Sequence, residues 1–579
     1  MISLRDVAIG FGITIMTKLA TDAYIGYRNG LVKLGSCPGK HRLWMHPFHT
    51  TAIVVASIFP PRGWMSHYAG KFSLYAKEGS TILSALVVWD ATPIFWLADA
   101  EAIKVVTSDR HTFRKEIEVY DVLEIYGKNL VSTEGEEWRR HLSVAGPAFN
   151  EANYCLAWSE TIRVVHEWFV ELDQDSAILS GKLVDVRAAM TRATLLIIAA
   201  AGFGKHASWT EFFLDCRIPS SKNEIMPFHV AIALTMEKLF VKVLTPDFAY
   251  SLPFRIPWLS EQLEEARGAF ASLKAHMEDL VSAARHGDTE RADLLRKLVE
   301  ANDATRTADG AGAKGTLTDD ELFSNIFTRK VFLLAGHETS AHTLTFALTL
   351  LALYPDAQRK LREEALQVWP TLEDCASSSS RHHFDKLKYT LAVFRETLRC
   401  FPPEPRINKI VESDTVLRAT RFHPEQHRSP QTSYDGACTN VQFTCNDSKD
   451  TKFMVPVQKG STVTMDIWAL HMNPLYWGED AYLFRPERFI DTSEYSWPRG
   501  AFLPFSAGAR GCIGKMFSTM ESVCLLACIA RRYEILLPES MDPDNLTELD
   551  KRWLLSWRAG VTTTPTNAFL RLRRYATEK

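Results

Sequence analysis

From about residue 100 onward, apolar positions recur at three- and four-residue spacing, as along Ile162 to Leu172 and Leu259 to Arg285. That period predicts long amphipathic helices. Strand-like runs are short and few, the clearest being Gly460 to Ile467 (GSTVTMDI). Two stretches break the pattern. Asn302 to Thr316 (NDATRTADGAGAKGT) is polar and reads as an exposed linker, about 302–316, between helices. Thr420 to Lys452 is poor in aliphatic residues and rich in Ser, Thr, Asp and Asn, the composition of an inserted surface loop, about 420–452. No internal repeat is present. The predicted class is mostly α with minor β.

The N-terminal residues follow a different rule. Val7 to Thr17 (VAIGFGITIMT) is apolar between Arg5-Asp6 and Lys18, and a second apolar run, Ala52 to Phe59, ends at Pro60-Pro61. Eleven helical residues cover only about 16 Å of a hydrocarbon core of about 30 Å. Extension to Tyr27 reaches spanning length but encloses Lys18 and Asp22. No small-residue cleavage pattern follows. Residues 1–60 are therefore expected to associate with a membrane, as one interrupted span or two shallow segments, with a soluble start as the alternative. Residues 61–579 are expected to form the catalytic domain.

Composition narrows the function. A chain of 579 residues, 46% hydrophobic and 11% aromatic, buries a core large enough to enclose a cofactor. Net charge is −3, so no nucleic-acid partner is expected. Ten cysteines without a CxxC pair are too sparse for a disulfide scaffold and fit reduced thiols facing the cytosol.

Two motif-like strings carry no chemistry. Gly310-Ala311-Gly312-Ala313-Lys314-Gly315 matches GxGxxG, but it lies in the polar linker with no apolar strand before it, so no dinucleotide site is read there. His337 and His342 in HETSAH stand five apart, about 140° around a helix, and cannot share the face that a helical zinc site requires.

The chemistry lies in Phe505-Ser506-Ala507-Gly508-Ala509-Arg510-Gly511-Cys512-Ile513-Gly514, followed by an apolar helix from Lys515 to about Arg531. A thiolate ligand needs its charge held by backbone N–H groups and a helix N-terminus. Glycines 508, 511 and 514 let the backbone fold tightly under a flat macrocycle. Arg510 offers a cation to a haem propionate, and Phe505 can pack beside the sulfur. Cys512 is therefore the expected iron ligand. In the second stretch, Ala335-Gly336-His337-Glu338-Thr339-Ser340 sits in an apolar helix running to about Leu353. Glu338 and Thr339 supply an acid and an alcohol side by side in that helix. Glu396 and Arg399 (RETLR) are three apart and share a helix face.

These stretches, with HMNPLYWGEDAYLFRPERF at 471–489 and WPRGAFLPFSAGARGCIGK at 497–515, resemble the cytochrome P450 family of haem-thiolate monooxygenases. The wording is most similar to fungal, membrane-associated members, and the resemblance extends from about residue 95 to 575. It implies a single haem-enclosing catalytic domain, haem b as cofactor with Cys512 as axial thiolate, and Thr339 in the proton-relay position. It also implies a structural cluster of Glu396, Arg399 and Arg488, and propionate contacts from Arg406 and Trp138. The family usually places Arg or Lys four residues after that Trp. This chain has Leu142, so His141 or Arg406 is expected to share the charge. Thr328-Arg329-Lys330 reads as a three-residue insertion ahead of the oxygen-binding motif.

With no nucleotide site, electrons must come from a partner. By resemblance this is an NADPH-cytochrome P450 reductase at the endoplasmic reticulum membrane, the catalytic domain facing the cytosol. Arg139, Arg140 and Lys515 are candidate contacts. The segments expected to line the substrate pocket, about 114–130, 222–255 and 331–339, include Phe228, Phe240, Phe248, Tyr250 and Phe254, which suits a lipophilic substrate. The expected reaction is insertion of one atom of O2, in fungal specialised metabolism such as terpenoid biosynthesis. The alternatives are a haem-thiolate isomerase or dehydratase, and an inactive haem-binding paralogue.

Overall fold

The computed structural model describes residues 4–43, 70–124, 127–210, 225–238, 257–286, 334–370, 380–422, 451–559 and 562–576, with a few isolated positions between them. Ala52 to Phe59, Thr328-Arg329-Lys330, most of the 302–316 linker, and Phe240, Phe248, Tyr250 and Phe254 lie outside the described residues. The chain forms two compact units. One comprises residues 1–119, 399–484 and 491–512, the other 120–398, 485–490 and 513–579. Each unit draws on three separated stretches of chain, so neither is a contiguous domain.

In the first unit a six-stranded sheet runs in the order His41–Leu43, Ile82–Val87, Pro93–Leu97, Thr462–Asp466, Arg406–Val411, Phe113–Lys115. The central strands ILSALV, PIFWL and TVTMD are buried at every position, as two covered faces demand. The strand expected at Gly460 to Ile467 is thus the strand Thr462–Asp466. The hairpin Thr415–Arg421 with Thr451–Val457 pairs Thr420 with Lys452. Both ends of the expected surface loop are therefore strand residues, and its remainder, 423–450, lies outside the described residues.

The N-terminal helix Leu4–Lys33 continues through Lys18 and Asp22. At about 1.5 Å per residue, thirty residues reach about 45 Å. Ile13, Met16, Leu19, Tyr24 and Val32 on it are exposed. Among the described residues, the helix long and apolar enough to cross a membrane is Val186–Phe203, which is 83% buried and is a core element.

The second unit is helical, with a three-stranded sheet Tyr533–Leu536, Phe569–Arg574, Lys182–Asp185 and a two-stranded one, Trp557–Ala559 with Thr563–Pro565. The predicted amphipathic stretches lie in helices Glu151–Asp173 and Pro257–His286. Val186–Phe203 is apolar almost all round because it is enclosed. Asp185 starts it by accepting from the Arg187 and Ala188 N–H groups, and Gly204 ends it at φ 63°. The protein is mostly α with minor β.

Glu396 and Arg488 meet in this unit with side chains 0% and 1% exposed, Arg488 Nε 3.5 Å from the carboxylate. The Arg485 N–H also donates to Glu396 Oε1 at 2.8 Å. Arg399, at 0% exposure, spends its fork on the carbonyls of His471, Ala481 and Leu483 within the first unit. Deleting one member of a buried pair leaves an uncompensated charge, at a cost of about 3–5 kcal/mol. Arg488→Ala should therefore lower unfolding stability by about that amount, read as a loss of haem-loaded protein and a shifted denaturant midpoint. A midpoint within error of the parent would remove the pair from the frame.

Candidate active site

The loop before Cys512 is held from two sides within the first unit. His471, fully buried, accepts the Leu503 N–H on its Nε2 at 2.9 Å and stacks on Phe502 at 5.4 Å. Trp477 and Trp497 set their edges against the same Phe502 ring, at 6.4 and 5.8 Å. The two family-like stretches quoted above are thus one aromatic clamp. Beyond it, the Cys512 N–H donates to the Phe505 carbonyl at 2.9 Å, closing the loop. Gly508 sits at φ 69°, and a Cβ there would meet the Thr107 carbonyl oxygen at 2.2 Å. Only glycine fits. Ser506 takes φ 57°, an uncommon conformation for a residue with a side chain.

Cys512 itself is exposed, whereas Cys37, Cys400, Cys524 and Cys528 are buried. Burial raises the Cys37 thiol to about 12, the opposite of what a ligand needs. An accessible thiol in a clamped, glycine-dependent loop fits an axial haem ligand. Gly514 caps the helix Lys515–Arg532 without a side-chain bond, which leaves the turn's backbone donors unused by a capping side chain.

Arg406 is buried, and its Nη2 bonds Asp466 Oδ2 at 3.2 Å, while Tyr75 donates to the same oxygen at 3.1 Å. Part of the fork expected at a propionate is therefore committed to Asp466. In the second unit Trp138 and His141, 5% and 0% exposed, share a face of the helix Gly135–Ala145. Leu142 is half-buried.

The other expected motif adopts a wide turn. Leu334–Glu338 is a π-helix that passes into the α-helix Thr339–Leu353, so Glu338 and Thr339 straddle the change. The fully buried Thr194 hydroxyl lies 3.1 Å from the His337 carbonyl and 2.9 Å from the Met190 carbonyl of its own helix, and its single proton serves one of them at a time. Burial raises the Glu338 pKa above the ordinary carboxylate value, with Thr562 and Arg558 pulling it part of the way back. Thr562 donates to Glu338 Oε1 at 3.2 Å. Ser340 and Ser518 hydroxyls meet at 3.0 Å. Near them Glu521, 1% exposed, is pushed well above the carboxylate range by burial, which the Ser340 hydroxyl only partly offsets.

Two readings change. Arg140 is engaged within the chain: its guanidinium donates two hydrogen bonds to the Glu321 carboxylate, at 2.6 and 2.7 Å, and although burial opposes it, Arg140 holds the Glu321 pKa down to about 2. Arg139 and Lys515 are exposed. Phe228, half-buried, packs edge-on to Phe203 at 5.8 Å and His276 at 5.7 Å, against a hydrophobic core cluster. Thr194, Thr562 and Glu521 were not singled out from sequence. Their partners lie far away along the chain, and no local spacing marks them.

The cytochrome P450 family model matches residues 68–426 and 442–559. A relative named cytochrome P450 monooxygenase 124, from Postia placenta, is 32% identical over 569 residues, covering 97% of this chain and 98% of its own length. The cytochrome P450 monooxygenase prx9 of Penicillium rubens is 26% identical, covering 79% of this chain and 76% of its own. The cytochrome P450 monooxygenase ORF6 of Penicillium roqueforti is also 26% identical, covering 78% and 75%. With a clamped, accessible cysteine in its glycine loop and a family match over most of its length, this chain belongs to the cytochrome P450 family of monooxygenases, and its cofactor is haem b.

Proposed function

We propose that the chain inserts one atom of O2 into a lipophilic small molecule, with Cys512 on the haem iron and Glu338 and Thr339 as its proton-delivering pair. The observation that carries this reading is that pair: a half-buried acid of raised pKa beside an alcohol, at the junction of a wide turn and an α-helix. An isomerase or dehydratase needs no proton delivery to oxygen, and an inactive haem protein needs no titratable acid in its interior.

When bound, a thiolate-ligated haem supplies reductive activation of O2 and transfer of one oxygen atom. Cys512 would hold its iron with Phe505 beside the sulfur, and Trp138, His141, Arg406 and Arg510 would meet its propionates. Gly514 keeps the turn into the following helix free of a side chain. Burial raises the Glu338 pKa above the ordinary carboxylate value, the direction that suits an acid which hands a proton on. Thr339 passes that proton on through its hydroxyl.

Electrons would come from an NADPH-cytochrome P450 reductase, with Arg139 and Lys515 exposed on this chain as candidate contacts. The exposed apolar positions of the helix Leu4–Lys33 support association with the endoplasmic reticulum membrane, the catalytic domain facing the cytosol. The fungal relatives support a place in specialised metabolism, with terpenoids as the first substrate class to try. Metabolite profiling of yeast co-expressing the chain with a reductase tests that assignment.

Cys512→Ala should abolish the red-shifted Soret band of the reduced, carbon monoxide-bound protein, and an unchanged band would end the thiolate assignment. Thr339→Ala should keep haem but lower product formed per NADPH oxidised several-fold, with peroxide rising in step. Unaltered yield would remove Thr339 from the relay. Leu142→Arg adds a charged donor at the family's usual position, a contact of about 1.5–3 kcal/mol. Haem transfer to an acceptor protein should slow accordingly, and equal rates would mean that His141, Arg406 or Arg510 already neutralises that propionate.

A further inference from the structure

The Glu338 carboxyl is tied to the C-terminal part of the chain by a contact that none of the motifs contains. Thr562, 5% exposed, donates to Glu338 Oε1 at 3.2 Å, and His342 Nδ1 lies 2.8 Å from the same hydroxyl oxygen. His342 follows Glu338 by four residues, which sets the two on one helix face. Thr562 immediately precedes the strand Thr563–Pro565, which packs on that helix.

His342 Nδ1 is also 3.9 Å from Glu338 Oε1, a spacing compatible with an ion pair. The imidazole is nevertheless neutral. Burial lowers its pKa to about 3, and His337, Arg187 and Arg558 all oppose a further positive charge there. Neutral His342 fixes the direction of the bonds. An ionised Glu338 only accepts, so Thr562 gives it its single hydroxyl proton, and the Thr562 oxygen must accept from Nδ1–H. When Glu338 carries the proton, the order reverses: Glu338 donates to Thr562, and Thr562 to an unprotonated Nδ1. The chain therefore has two polarities, and the charge of Glu338 selects between them. His342 Nε2 makes no bond to a protein group among the described residues, and the side chain keeps 8% of its surface open.

We infer that His342 and Thr562 reload Glu338 with protons, acting through it as positioning residues of the relay. This rests on the reading of Glu338 as the relay acid. In the step, a hydronium ion from solvent gives a proton to His342 Nε2 and is left as water, while the Nδ1–H bond breaks and that proton bonds to Thr562 Oγ1. The original Thr562 proton then bonds to Glu338 Oε1. No electrons are exchanged. One proton enters at Nε2, one is deposited on Glu338, and the imidazole ends neutral as its other tautomer.

The test uses the full-length, haem-loaded enzyme in its reduced, carbon monoxide-bound form. Infrared pH titration follows the Glu338 carboxyl, assigned by its disappearance in Glu338→Gln. Because the Thr562 hydroxyl lowers the Glu338 pKa, Thr562→Val should move the titration to higher pH, and Thr562→Ser should bring it back. During turnover with the reductase, His342→Gln keeps a donor but cannot exchange tautomers, so product per NADPH should fall several-fold while the carbon monoxide spectrum stays. If Thr562→Val does not retain haem, Thr562→Ala and His342→Gln carry the same two readouts. A Glu338 titration unmoved without the hydroxyl, or parental coupling in His342→Gln, overturns the inference. Parental coupling in Glu338→Gln overturns the relay reading with it, whereas uncoupling in Glu338→Gln beside full coupling in His342→Gln overturns the inference alone.

Discussion

Taking a carboxylate out of water costs several kcal/mol unless charge or hydrogen bonds replace the lost hydration. How each buried acid meets that demand separates the frame of this protein from its reactive part. Glu396 has the Arg488 guanidinium and a backbone N–H. Asp466 has Arg406, Tyr75 and the Ala469 N–H. Asp99 takes hydroxyl protons from Thr81 and Thr420 and caps the helix Ala100–Ser108. These acids are held by a cation or by several donors, and they fix chain crossings. Glu521 takes the other course, with burial pushing its pKa well above the carboxylate range. Glu338 lies between the two courses, with one hydroxyl donor and the more remote Arg558, and is left able to change state.

Backbone geometry decides where Glu338 stands. The π-helix at Leu334–Glu338 releases the next turn from the regular ladder, and the buried Thr194 hydroxyl of a neighbouring helix lies within hydrogen-bond distance of the His337 carbonyl. Downstream the helix is regular, and Thr343, Thr345 and Thr349 each return their hydroxyl to the carbonyl four residues earlier. Buried threonines that bond back in this way are inert packing elements. The irregular turn thus sets Glu338 apart from the self-bonded threonines that follow it.

Features that depend on near neighbours in sequence were readable without a structure. The Phe505–Gly514 loop is one, since its glycines, cysteine and following helix lie in a single stretch. The Glu338–Thr339 pair and the alternation of helix and strand periods are others. What was not readable depends on partners far along the chain. Arg140 looks like an exposed cation until Glu321, 181 residues on, is found beside it. Arg406 looks available until Asp466 is in place, and Thr562 has no signature at all. The N-terminal helix runs on through Lys18 and Asp22 to Lys33, so these charges interrupt the apolar stretch and not the helix.

His342 shows why the support of a reactive acid has to be weak. A histidine one turn past a glutamate ordinarily gains a proton from the pairing. A charged imidazole here would hold the Glu338 proton away and turn the acid into another frame carboxylate, like Glu396. Burial and the positive groups around His342 prevent this by keeping the ring neutral, and Thr562 enters between the two side chains as a group that both donates and accepts. The cost is a carboxyl bound less firmly than any of the frame acids. The gain is a site whose charge can follow the proton supply, which a fixed ion pair in the same place could not do.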